Sequence, residues 1–162
     1  MTRLLIVLFF ISTLSALGQG DKTIKLEKII FHTSRCRGKC PVYHLQVDSA
    51  RQIQLLAQYV SLKKSNANDS SKTGYFVGIV SDSLCDKMTN IIQQIGIDSL
   101  VVNHEMVYDG VNIGIIIYYN GKRKSFSTRS PQKKLLELIH VLYDICEKSE
   151  LKRTDKKFDI EH

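Results

Sequence analysis

The dipeptide Asn120-Gly121 constrains the fold of this chain more than any other pair of residues. It stands between Ile113–Tyr119, a β-branched and aromatic run, and Lys122–Ser127. Asn-Gly is the pair that suits a two-residue turn needing positive φ at both positions. The chain therefore contains a tight antiparallel hairpin, and its architecture is built around a sheet. Tyr43, Leu45 and Val47 alternate with His44 and Gln46, while Ile53, Leu55, Ala57 and Tyr59 alternate with Gln52, Gln54 and Gln58. These two runs predict a second hairpin, turned at Asp48-Ser49-Ala50-Arg51, with one face of each strand toward the core. Leu26–His32 and Tyr75–Val80 read as further strands, and the polar stretch from Ser61 to Thr73 reads as an exposed loop.

Two segments change period. After Ser81-Asp82, Leu84, Met88, Ile91, Ile92 and Ile95 fall on one helical face, and Gly96 supplies a stop. Ser130-Pro131 predicts the opening of a second helix, because serine caps and proline suits the first helical position; Leu135, Leu138, Ile139, Leu142 and Cys146 line its buried side. The expected fold is α+β, a mainly antiparallel sheet of about six strands covered by two helices. That single domain spans residues 24–147, and the polar tail, residues 148–162, is expected to be disordered.

The N-terminus predicts export. Met1-Thr2-Arg3 precedes an apolar run from Leu4 to Ile11, and Ala16 and Gly18 are the small residues a signal peptidase reads, so residues 1–18 form a signal peptide and Gln19 the mature start. Without a cysteine before Cys36, no lipid anchor is expected at this junction. With 162 residues, 43% hydrophobic and 24% charged, the composition is that of one globular domain and excludes collagen-like, coiled-coil and wholly disordered chains. No later apolar run approaches the roughly 18 residues of a membrane span. The net charge of +7 includes one arginine in the leader and no acidic residue there, so the mature protein stays basic. In a periplasmic or extracellular setting, that charge points to an anionic ligand or an envelope component as partner, and no nucleic acid is expected.

An oxidising compartment bears on Cys36-Arg37-Gly38-Lys39-Cys40-Pro41-Val42-Tyr43. Residues four apart lie at ~13 Å in an extended chain, whereas a disulfide needs Cα atoms ~4.4–6.8 Å apart, so pairing Cys36 with Cys40 requires a fold-back. Gly38 permits it through its access to positive φ, and Pro41 ends the turn. A structural disulfide ranks first. A redox-active pair is the second reading, since Arg35, Arg37 and Lys39 favour thiolate. A metal site of Cys36, Cys40 and His44 is the third, opposed by the missing fourth ligand; neither metal nor cofactor is expected. Cys85 and Cys146, on the predicted helices, read either as buried thiols or as a helix-to-helix disulfide.

The pattern Cys-x-Gly-x-Cys-Pro-x-Tyr resembles a family catalogued as a domain of unknown function and common in exported bacterial proteins. The resemblance covers about residues 27–146, including the first hairpin, the central helix, Tyr108-Asp109, the second hairpin and the proline-led helix. Ser49-Ala50 stands where the family usually carries an Asn/Asp-Gly turn, and Val111 stands near an expected proline. The resemblance implies structural roles for Gly38, Pro41 and Tyr43 and implies no activity.

No nucleophile elbow, phosphate loop, dinucleotide fingerprint or His-Glu-x-x-His helix is present, and no catalytic residue is assigned. His32, His44, His104, His140 and His162 are scattered in sequence and read as surface or half-buried side chains. Glu105 and Asp109, flanking Tyr108, form a minor candidate for a cation or an acid/base pair. The better candidate is basic: Lys122, Arg123, Lys124, Arg129, Lys133 and Lys134 occur without an acidic residue between them. Arg129, Ser130 and Lys133 at the expected helix start could frame an anion. The function expected is a secreted or periplasmic non-catalytic domain, a binding or envelope-associated module. The alternative is an extracytoplasmic enzyme or thiol-redox protein whose site the fold assembles.

Overall fold

A computed structural model describes residues 23–38, 40–59, 72–102 and 110–162. The expected signal peptide (residues 1–18), most of the expected polar loop (Ser61 to Thr73) and the Glu105 and Asp109 candidate lie outside the described residues. The elements run β1 (Leu26–Thr33), β2 (Val42–Asp48), β3 (Gln52–Gln58), β4 (Gly74–Ile79), α1 (Asp82–Ile95), a 3-10 turn (Ile97–Ser99), β5 (Ile113–Tyr119), β6 (Lys122–Thr128), α2 (Lys133–Lys148) and β7 (Lys152–Thr154). The seven strands form one sheet in the order β6-β5-β1-β2-β3-β4-β7, every pair antiparallel. No described helix is long and apolar enough to cross a membrane.

The turns follow from their residues. Asn120 and Gly121 take φ of 50° and 70°, the two positive values that a two-residue hairpin between right-twisted strands needs. The β2–β3 turn reaches its reversal without glycine. Asp48 Oδ1 accepts the backbone N–H groups of Ala50 and Gln52, each at 2.9 Å, and Arg51 takes the left-handed position at φ 63°. Ser81 caps α1 by accepting the Leu84 N–H at 3.4 Å, and Gly96 ends it at φ 68°.

One face of the sheet carries Phe31, Tyr43, Leu45, Leu55, Ile115 and Ile117, packed against Met88 and Ile92 of α1 and Leu135, Leu138, Leu142 and Ile145 of α2. Burying each such side chain contributes about 1.5–3 kcal/mol. The opposite face is covered as well. Ile30 of β1 and Ile116 of β5 point away from the helices and are buried with Ile160, the three being 0%, 5% and 3% exposed.

That covering corrects the expectation for the tail. Lys152–Thr154 pairs with Tyr75–Val77 as a seventh strand, and the chain then turns back as a strap. Phe158 packs edge-on against Tyr75 of β4 with ring centroids 5.0 Å apart, and Ile160 sits over Ile30 and Ile116. Glu161 receives the Tyr118 hydroxyl at 2.7 Å and pairs with Arg123 at 3.1 Å and Lys28 at 3.3 Å. After β7 the strap has two apolar residues, Phe158 and Ile160, two positions apart, and it is held because both meet an apolar stripe, while Leu151 before β7 packs on the main core. The second helix also differs from expectation: it begins at Lys133 behind Gln132, which makes no capping side-chain bond. Thr128 Oγ1 takes the Ser130 N–H at 3.1 Å, so Ser130 and Pro131 belong to the turn before the helix.

Gly78 marks where the tail leaves the body. A Cβ there would lie 2.9 Å from Leu151 Cδ2 and 3.0 Å from the Glu150 carbonyl oxygen. Gly78→Ala should push residues 150–151 off β4, with a cost of about 1–3 kcal/mol. Hydrogen exchange should then show lost protection at Lys152–Thr154 while Ile115–Ile117 stays protected.

Candidate functional site

Two constellations stand out, on opposite sides of the sheet. The first is built by the cysteine motif. Cys36 and Cys40 form a disulfide with Cα atoms 5.7 Å apart, so the Cys-Cys-His metal reading has no free thiolates in this state. Thr33, buried at the end of β1, accepts the Tyr43 N–H at 2.8 Å and donates to the Pro41 carbonyl at 3.2 Å, fastening the motif to the sheet. Gly38 does not occupy the positive-φ region expected of it; its N–H donates to Cys36 Sγ at 3.1 Å.

Pro41 and Tyr43 then line a cleft of about 530 Å³ with Tyr59, Phe76, Glu147 and Leu151. At its floor the Tyr43 and Tyr59 hydroxyls lie 2.7 Å apart, and the Tyr43 hydroxyl also reaches Glu147 Oε1 at 3.4 Å. Burial, followed by the hydrogen bond to Tyr59, pushes the Tyr43 pKa far above that of an ordinary phenol. Tyr43 therefore stays a neutral phenol and takes part in the hydrogen bonds to Tyr59 and Glu147.

The second constellation is one that sequence reading missed. His32 and His44 are directly opposite each other in the β1–β2 register and share the outer face. Their Nδ1 atoms are 2.9 Å apart, and His32 Nε2 lies 2.6 Å from the Glu161 carbonyl oxygen. The strap brings His162 onto the pair, stacked on His32 with centroids 4.6 Å apart and edge-on to His44 at 4.9 Å. One nitrogen from each ring lies within 4.8 Å of the other two. The carbonyl can only accept, so His32 donates through Nε2 and presents a lone pair at Nδ1. Burial is the leading cause that lowers the pKa of both His32 and His44, with neighbouring histidines adding to it.

The basic stretch is dispersed. Lys122 pairs with Asp98 at 2.7 Å and Arg123 with Glu161, while Arg129 and Lys133 lie exposed on either side of the turn. The Ser130 N–H donates to Thr128 Oγ1, so of the groups in the anion reading that amide is already engaged. Cys85 and Cys146 are free thiols, the first half-buried and the second buried.

Residues 27–146 match the family described as a domain of unknown function, DUF6438. The chain belongs to the DUF6438 family. A search of curated proteins found no match. In this DUF6438 domain the disulfide, the cleft residues up to Cys146, His32 and His44 fall within the matched span, whereas Glu147, Glu161 and His162 follow it.

Burial raises the pKa of both free thiols. Without reductant, alkylation of the native DUF6438 domain should modify Cys85 slowly and Cys146 only in denaturant, giving two thiols in all and four after reduction. The lowered histidine pKa values set a pH dependence. The unfolded chain takes up protons first as pH falls through about 6.5, and stability declines from there toward the folded-state pKa values. The groups facing His32 and His44 from the strap are Glu161 and His162. In chelator, denaturant stability should be level above pH 7 and fall below about 6.5, with a shallower fall in His32→Gln/His44→Gln.

Proposed function

We propose that this DUF6438 domain is an exported, non-catalytic binding module that takes a small, hydroxyl-bearing envelope component in the cleft beside the cysteine motif. The observation that carries the reading is the Tyr43–Tyr59–Glu147 network at the floor of that cleft. The Tyr59 hydroxyl and the Glu147 carboxylate supply donor and acceptor between apolar walls from Phe76 and Leu151, with the wholly buried Tyr43 hydroxyl bracing them from behind, the combination that orients a polar organic ligand in a mostly pre-formed site. The leader-like residues 1–18 and the Cys36–Cys40 pair support export, because such a bond persists where thiols are oxidised.

The enzyme alternative has less support. The cleft's buried tyrosine is held neutral, and the nearest histidine in sequence, His44, lies on the other face of β2 from Tyr43.

Two measurements test the reading. The full chain, expressed in a bacterial host, should be recovered outside the cytoplasm beginning at Gln19; intact chain in the cytosol with four reduced thiols would overturn the export half. Nitrogen-15 spectra of the mature protein, titrated with soluble oligosaccharide fragments of the cell envelope, should shift at Tyr59 and around Glu147, and Glu147→Gln should weaken the response by about tenfold, the loss of one charge-assisted hydrogen bond. Turnover of the fragments, or shifts confined to other surfaces, would overturn the binding half.

A further inference from the structure

We infer that His32, His44 and His162 form a binding site for a divalent first-row transition-metal ion, of the zinc or copper class, that locks the C-terminal strap onto the outer face of the sheet. The inference uses neither the cleft nor the compartment, so it stands or falls apart from the function proposed above.

The geometry begins with His32. Its Nε2–H is committed to the Glu161 carbonyl at 2.6 Å, which leaves Nδ1 as a lone pair aimed at His44 Nδ1, 2.9 Å away. This is the arrangement metal-binding histidines use: the far nitrogen donates to a carbonyl or carboxylate, fixing the ring's orientation and the tautomer in which the near nitrogen is bare. Without metal, the contact requires His44 Nδ1–H to donate to His32. With metal, His44 changes tautomer, giving up its Nδ1 proton and gaining one at Nε2 through solvent, so that the ring stays neutral and both Nδ1 atoms face the ion.

The spacing fits with small adjustments. Bonds of about 2.0–2.1 Å to a tetrahedral ion place ligand nitrogens about 3.4 Å apart. The His32–His44 contact at 2.9 Å has to open slightly, and the wider separations, none above 4.8 Å, have to close. His162 is the member able to move, being exposed and beyond the last apolar anchor of the strap, Ile160.

The donor set selects the ion. Three neutral imidazole nitrogens suit zinc, copper or nickel, while magnesium and calcium take oxygen ligands. The Glu161 carboxylate is engaged by Tyr118, Arg123 and Lys28, so its part is to position the strap and the carbonyl that orients His32. Three protein ligands leave a fourth position for water or for a ligand group.

The test is calorimetric titration of the chelator-stripped mature protein with zinc chloride, and separately with magnesium chloride. One zinc ion per chain and no magnesium response are expected. His44→Gln and His162→Ala should each weaken zinc binding at least tenfold, whereas His140→Ala, an exposed histidine on α2, should leave it unchanged. His162→Ala removes an exposed side chain near the chain's end, so its effect is not confounded by unfolding. Zinc should also raise the thermal midpoint of the wild type and not of His162→Ala. No binding, a stoichiometry other than one, or affinity indifferent to His44→Gln and His162→Ala would overturn the site.

Discussion

Two adjacent inner strands of this sheet, β1 and β5, are apolar on both faces, and the rest of the molecule answers that constraint. Ile29, Ile30 and Phe31 are consecutive and wholly buried, and Ile115, Ile116 and Ile117 repeat the pattern on the paired strand. An antiparallel sheet with one face under helices can leave its other face to water only if that face is polar. Here the outer face carries Ile30 and Ile116, which need a cover. The tail supplies it, laying Ile160 on both and closing the edge with the Glu161 contacts. The three-histidine cluster follows from that cover, because His162 reaches His32 and His44 only on the end of the strap.

The molecule thus has two working faces with different chemistry. On the helix side, the disulfide and Thr33 fix the turn into β2, and that turn delivers Pro41 and Tyr43 to a cleft whose polar floor is shared with Glu147 near the end of α2. On the strap side, the next residue of the same strand, His44, points the other way into an all-imidazole group. A single strand, by its two-residue period, serves both.

Sequence reading reached the elements whose signals are local. The Asn120-Gly121 turn, the Ser81 cap and the Gly96 stop each follow from one or two residues, and their backbone angles agree with the expectation. Asp48 and Arg51 show how a turn with no glycine is made when a side chain replaces the missing backbone contacts. The second helix has the expected buried side, and only its start differs, because Ser130-Pro131 imitates a helix opening while Thr128 two residues earlier claims the amide. The histidine cluster was illegible for a different reason. Its register is set by the disulfide-closed connection from Ser34 to Pro41, whose geometry the sequence does not spell out, and by a strap whose apolar signal is Phe158 and Ile160 spaced two apart.

The account rests on the strap covering the outer face, and the most direct measurement is a methyl nuclear Overhauser spectrum of the protein in chelator. Cross-peaks from Ile160 methyls to those of Ile30 and Ile116 are expected, with dispersed shifts through residues 158–162. Random-coil shifts over that segment, without those cross-peaks, would contradict it.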